Sequence, residues 1–332
     1  MTALSLHRPG RLVLVAVVAL CVALAGGIGL WLYRGSDHRT DYCRKLSEDK
    51  RIHSALGSDH PNDSDCSRLG AAIRQATMGS KSGEHSVRQA QAMKNVLVAL
   101  AEVTRNGDGR LDPALAVPVA GALADYMPDL YGVVSPGHMD YVRAFEETDP
   151  PWKDDTGVHV SVSSLSLLHV IRHLADTPEA YAELRAAVSA YAAAEFVAVP
   201  HGAEEWRFES PVRDAAYVLG AMDAVATDVR QDRGEGGWNE WSTDVFGQMA
   251  EAVPAPPAFT KDPARHISES WGQTLRAGGQ KAMMSCFEAQ SAEMVRMWGK
   301  GAGLDKEVQK SLLRVARDVS LLGRDETARN LP

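Results

Sequence analysis

Two short stretches of this 332-residue chain carry metal-ligand residue types at metal-ligand spacing. The first, TRNGDGRLDP at residues 104–113, has the Asn, Asp and Gly content of a calcium-binding loop. With Gly109 as the sixth position, Asn106, Asp108 and Asp112 fill the third, fifth and ninth places, where oxygen ligands belong. Thr104 then takes the first place instead of Asp, and Leu115 takes the twelfth, where a bidentate Glu is needed. Lacking its strongest ligand, the stretch reads as an Asn/Gly/Asp-rich turn between helices, and a calcium-regulated adaptor working through residues 104–115 is an alternative. The second stretch, HVIRH, sets His169 and His173 four apart on one helical face, the spacing of half a zinc site. A metalloprotease needs Glu beside the first His, where Val170 stands, and no third ligand suggests itself. A packed or exposed pair is expected, with a metal-dependent hydrolase using the His169/His173 helix and a loop acid as the alternative.

No Gly-rich phosphate loop, nucleophile elbow, HExxH or paired-cysteine metal signature is present. Glu146 with Glu147, and Glu204 with Glu205, sit among other charges in loops and read as solvated faces. Cys286 in KAMMSCFEAQ is a thiol on an apolar helix, expected in the core rather than as a nucleophile. Trp238 and Trp241 in GEGGWNEWSTD read as packing anchors, against a carbohydrate or partner patch. The chain is therefore expected not to be an enzyme, to have no catalytic, cofactor-binding or metal-ligating residue, and to need no cofactor.

What must position these residues is helix. Apolar content is 45% and aromatic content only 6%, with alanine runs such as SAYAAAEF at 189–196, a balance that favours helix because Ala loses no side-chain entropy there. An all-α fold follows: one N-terminal transmembrane helix, then a bundle-like body of many helices. The expected divisions are a basic segment at 1–11, the membrane helix at 12–33, a polar linker at 34–66 and a helical domain at 67–332, with a sub-boundary near 253–267.

The membrane assignment rests on residues 12–33, 22 residues without a charge. At about 1.5 Å per residue they cover the roughly 30 Å hydrocarbon core. Arg8 and Arg11 precede the run, and Trp31 and Tyr33 suit the interface. Ala23-Leu24-Ala25 offers a signal-peptidase cut, but the apolar run continues past it. Cys21 could suggest a lipoprotein, yet bulky Leu20 precedes it. Counting basic residues on the two flanks places the body in the cytoplasm, whereas the short basic N-terminus has the layout of a signal anchor with the body outside, and the second reading is preferred. Cysteine usage agrees, since Cys43 and Cys66 flank a polar segment and could close a loop in an oxidising compartment. Ala19, Ala23 and Gly27 repeat every four residues, a ladder through which two such helices could pair as a homodimer. With only three arginines in residues 1–34, the rest carries 32 basic against 43 acidic residues, which argues against nucleic acid as a partner.

Along the body, apolar residues recur at three and four. Leu69, Ala72, Ile73 and Ala76 mark one helix; Val87, Ala90, Met93, Val96, Leu97, Leu100 and Ala101 mark a second. A third is expected over 113–134, capped by Asp112 with Pro113 at its first position. Residues 158–176 begin with strand-like alternation and end as a helix. Thr177 then caps a helix running to about 199, a loop holds 201–211, and Val212, Ala215, Ala216, Leu219 and Met222 face the core before GEGGWNEWSTD interrupts. VPAPPA is a bend, and Met283, Met284, Met294 and Met297 fill the core of the last helices.

The order EHSVRQAQAMKNVLVAL, LDPALAVPVAGALADYMPDLYGVV, DTPEAYAELRAAVSAYAAAEF, SPVRDAAYVLGAMDAVATDVRQDR and VPAPPA, over roughly residues 67–260, resembles an actinobacterial helical family labelled as containing a TPR repeat region and associated with type VII (WXG-type) secretion. The resemblance implies an accessory or toxin-related role in an envelope or secretion system and supplies no catalytic residues. The expectation is a membrane-anchored helical interaction protein, its body extracytoplasmic and its protein partner unidentified.

Overall fold

The computed structural model describes residues 42–61, 65–105, 109–200, 203–251 and 253–331. The proposed span at 12–33, with Ala19, Ala23 and Gly27, lies outside them; no helix among the described residues is long and apolar enough to cross a membrane. The body is all-α. Helices α1 (42–48), α2 (Lys50–Leu56), α3 (Cys66–Thr77), α4 (Val87–Arg105), α5 (Pro113–Ala124), α6 (Met127–Val134) and α7 (Met139–Arg143) lead to a small hairpin. In it β1 (Trp152–Lys153) runs antiparallel to β2 (Val158–His159), with Trp152 opposite His159. Then come α8 (Ser164–Leu174), α9 (Pro178–Ala198), α10 (Glu205–Phe246), α11 (Pro263–Gly278), α12 (Met283–Ala302) and α13 (Lys306–Asn330).

Aspartates start many of these helices. Asp49, Asp65, Asp112, Asp262 and Asp305 each accept a hydrogen bond from a backbone N–H of the first turn, satisfying a donor that has no partner inside the helix. Pro113, Pro178 and Pro263 follow at the next position, where a missing N–H costs nothing. Thr177 occupies the expected cap position of α9, but its side chain makes no capping bond. The apolar stripes are buried as their spacing requires, apart from Val87, which at the first residue of α4 is half exposed. Half of the residues of α5 are buried, between α3 and α9.

Four expectations need correction. Residues 113–134 form two helices. At the break the Asp125 carboxylate accepts from the Ser82 hydroxyl at 2.5 Å and the Gly83 N–H at 2.9 Å, while the Tyr126 hydroxyl donates to the Thr77 carbonyl at 2.7 Å. Pro128, with no N–H to give, prevents α6 from continuing α5. The supposed loop at 201–211 is helical from Glu205, where Phe208 is drawn onto Trp298, ring centres 5.7 Å apart. The glycine-rich interruption shrinks to one residue, Gly234, whose φ of 64° suits glycine and bends the chain between two helical stretches of α10. The described part of the polar linker packs onto the body instead of spacing it from the membrane: Tyr42, Cys43, Leu46, Ile52 and Leu56 are buried, α2 packs on α4, and Cys43 is bonded to Cys66.

α10 makes its broadest contact with α13. Their backbones approach so closely that a Cβ at Gly220 would lie 2.0 Å from the Ser320 carbonyl, and one at Gly323 would lie 2.3 Å from that of Tyr217. The connector before the hairpin is tied down by Lys94 of α4, whose buried ammonium donates to the Ala144 and Asp149 carbonyls at 3.1 and 2.7 Å.

Candidate functional site

The end of α4, the turn at 109–112, α8 and α10 enclose a charged cleft of about 690 Å³ that gathers both sequence candidates. Each of the calcium-loop positions among the described residues is committed to structure. Thr104 is buried and donates back to the Leu100 carbonyl at 2.7 Å; Gly109 donates its N–H to the Tyr42 hydroxyl at 2.8 Å; Asp112 caps α5; Leu115 is fully buried. Asn106 and Asp108 lie outside the described residues. A twelfth-position side chain inside the core cannot turn to a cation at the surface, and Thr104 faces its own helix.

The histidines share the cleft without converging on a common point. His173 Nδ1 donates to the His169 carbonyl at 2.9 Å, and burial pulls its pKa down. His169 Nε2 donates to the Asn330 carbonyl at 3.3 Å, tying α8 to the end of α13. Among the described residues no three His, Cys, Asp or Glu side chains are grouped to hold a metal ion. The remaining charges neutralise one another. Arg172, almost fully buried, pairs with Asp176 at 3.0 Å, with Asp228, and with Asp232 at 3.5 Å; Arg110 reaches Asp232 at 3.4 Å. Opposite charges this close brace α8 against α10.

A second polar cluster was invisible in the sequence. Asp129 comes from the first turn of α6, Tyr141 from α7, and His159 and Asp154 from the hairpin. His159 Nδ1 lies 2.9 Å from Asp129 and Nε2 3.1 Å from Asp154, with the Tyr141 and Thr156 hydroxyls 3.1 and 2.8 Å from the same two nitrogens, so the two carboxylates favour the protonated ring. The Tyr141 hydroxyl donates to the same Asp129 oxygen at 2.8 Å. The bond from Asp129 raises the His159 pKa against the opposing effect of burial, and burial drives the Tyr141 phenol up. The cavity touching Asp129 measures about 10 Å³, at the limit for a single water. The cluster is a clasp holding the hairpin to the helices.

The clasp has a pH signature. Its histidine pKa is raised on folding, so its stabilisation is complete below the unfolded value of 6.5 and fades as pH climbs through the higher folded value. His138, raised by its bond to Asp214, acts in the same direction, and His173 in the opposite one. The difference in urea midpoint between the wild type and His159→Gln is therefore expected to shrink steadily from about pH 6 to about pH 8. A constant difference across that window would show that His159 is neutral in the fold.

Other candidates fall where packing places them. Trp241 is fully buried with its indole N–H on the Ala175 carbonyl at 2.8 Å, and Trp238 stacks on it. Met283 and Met294 are core, with Met284 and Met297 packed against it. Cys286 is partly buried, and burial pushes its thiol up, away from the reactive thiolate. Glu147 pairs with Arg51 at 3.3 Å, and Glu204 accepts from the Trp206 indole at 2.6 Å. No protein-family model, curated protein or solved structure matches this chain.

Proposed function

We propose that this chain is a membrane-tethered, non-catalytic helical protein whose body lies outside the cytoplasm and acts by contacting another protein. The observation that carries the reading is the Cys43–Cys66 bond. Such a bond persists in oxidising compartments and is rare in the cytosol. It lies close after the uncharged run at 12–33, and the eight residues 34–41 can extend at most about 3.5 Å each, so the body starts within about 30 Å of the bilayer. Contact with a partner is supported by Met139, Val142 and Phe145, apolar side chains 54, 54 and 40% exposed on α7 and just after it. The resemblance to the secretion-associated helical family makes an accessory or toxin-related component of an actinobacterial envelope or secretion system the preferred setting.

Sidedness is tested by adding protease to intact and to permeabilised cells, and by counting maleimide-reactive thiols in the denatured chain. The body is expected to be degraded in both samples, and reduction is expected to raise the thiol count by two. Protection in intact cells, or a count unchanged by reductant, overturns the assignment.

A further inference from the structure

After α6 the chain forms α7 and enters the hairpin, and of the described residues from Pro136 to Val158 only Pro151 is buried. A segment with so little apolar burial belongs to the least stable part of a fold and stays closed through its polar ties. At its start, His138 Nε2 lies 3.4 Å from the Asp214 carboxylate of α10, which also accepts from the Ser135 hydroxyl at 2.6 Å. Gly137, with a φ of 106° suited to glycine, precedes this tie. In the middle, Tyr141 lies flat against α6, where a Cβ at Gly132 would come 2.2 Å from its ring, and its carbonyl accepts from the Ser161 hydroxyl at 2.8 Å. At its end stands His159, between Asp129 and Asp154. Lys94 and, through Glu147, Arg51 hold the connector between α7 and β1.

An imidazole facing carboxylates therefore closes the segment at each end. Around His138 the charged groups are Asp214 of α10 and Glu195 of α9, whose carboxyl is pushed up by burial. Around His159 they are Asp129 of α6 and Asp154 of the hairpin turn, with Tyr141, Thr156 and the Trp152 ring completing the surroundings. A protonated ring makes a charge-assisted bond to such a carboxylate, and a neutral ring only an ordinary one. The closed segment thus holds protons more tightly than the open one, and rising pH favours opening.

We propose that residues 138–159 are a pH-gated flap, latched at its two ends by His138 on Asp214 and His159 on Asp129, closed in mildly acidic surroundings and released as pH rises. Met139, Val142 and Phe145 ride on the flap, so the apolar contact surface is held in one arrangement only while the latches are shut. That consequence rests on the partner reading above, whereas the flap itself does not.

Amide hydrogen exchange of the full chain in phosphatidylcholine nanodiscs, corrected for the intrinsic effect of pH on exchange, reads the flap with no partner present, so its result stands apart from whether a partner is found. Protection over 138–159 is expected to fall about tenfold or more between about pH 6 and about pH 8.5, two charge-assisted bonds having become neutral ones, while α9 and α10 keep theirs. His138→Gln with His159→Gln leaves a neutral donor at each latch. Its flap should be as open at pH 6 as that of the wild type at pH 8.5 and should not respond to pH, with the circular dichroism of the wild type. If that variant does not fold, His138→Gln alone should lose about half of the response on a logarithmic scale. Wild-type protection unchanged by pH overturns the proposal, as does a loss that reaches α9 equally, which is global unfolding. A full response in either folded variant overturns it too, the sensor then being another group such as Lys94.

Discussion

Asp223→Ala is expected to destabilise the body by about 3–5 kcal/mol, read as a lower urea midpoint. Asp223 of α10 and Arg185 of α9 are 2% and 0% exposed and meet at 2.5 Å. The guanidinium spends its other donors on Gln290 Oε1 at 2.7 and 3.1 Å, the Tyr181 hydroxyl at 3.1 Å and the Phe287 carbonyl at 3.3 Å, and lies 4.0 Å over the Phe287 ring. α9, α10 and α12 are thereby joined through one side chain. Burial works against both charges. It pushes the Asp223 carboxyl up, and it would pull Arg185 down if Asp223 and Tyr181 did not hold the guanidinium above its ordinary value. Because a guanidinium does not release its proton in a protein, removing Asp223 strands a full charge in the core. Replacing both partners together, as Arg185→Met with Asp223→Leu, should recover more than half of the loss, since the desolvation cost goes with the charges. A loss below about 1 kcal/mol from Asp223→Ala would mean that water reaches this site and that the three helices are held by apolar packing alone.

That network shows where sequence reading stops. Helices were legible because burial has a period: the stripe from Ala90 to Ala101 states which face of α4 is inward, and Asp-Pro pairs mark where helices begin. Arg185 and Asp223 are polar residues inside otherwise apolar faces, 38 positions apart, and their partner Gln290 is 105 positions from Arg185. No local pattern relates them, because the pairing exists only once α9, α10 and α12 have packed. The clasp of Asp129, Tyr141 and His159 is hidden for the same reason, its one local trace being that His159 stands between the alternating Val158 and Val160. The reading of 34–66 as linker failed because polarity was averaged over the segment. Leu46, Ile52 and Leu56 are few, but each is inward, and one covalent bond holds them there.

That bond supports the other large prediction. Cys43 and Cys66 are 23 positions apart, and closing a loop of this size in the unfolded chain removes entropy worth about 3 kcal/mol at room temperature. Cys43 is fully buried, so the paired variant Cys43→Ala with Cys66→Ala also loses packing in the cluster of Tyr42, Leu46 and Ile52. A destabilisation of about 3 kcal/mol or more is expected, and it should fall first on α1 and α2, which reach the rest chiefly through α4, through Arg51 to Glu102 at 2.5 Å and through the Tyr42 hydroxyl to Gly109. Hydrogen exchange should therefore rise over 42–56 before it rises over α9 or α10. Reductant should lower the wild type by the covalent share alone, leaving it above the variant by the lost packing, and leave the variant itself unmoved, which separates the covalent contribution from the packing one. If residues 12–33 lie in a bilayer, as proposed, the same loss has a positional consequence. The bridge holds α1 and α2 against the body, and once it is cut and those helices peel away, the chain between 42 and 65, about 24 residues at up to about 3.5 Å each, can lengthen the tether. Cross-linking between the body and lipid headgroups should then decline on reduction, and undiminished cross-linking, with exchange over 42–56 also unchanged, would show that α1 and α2 are held by packing alone.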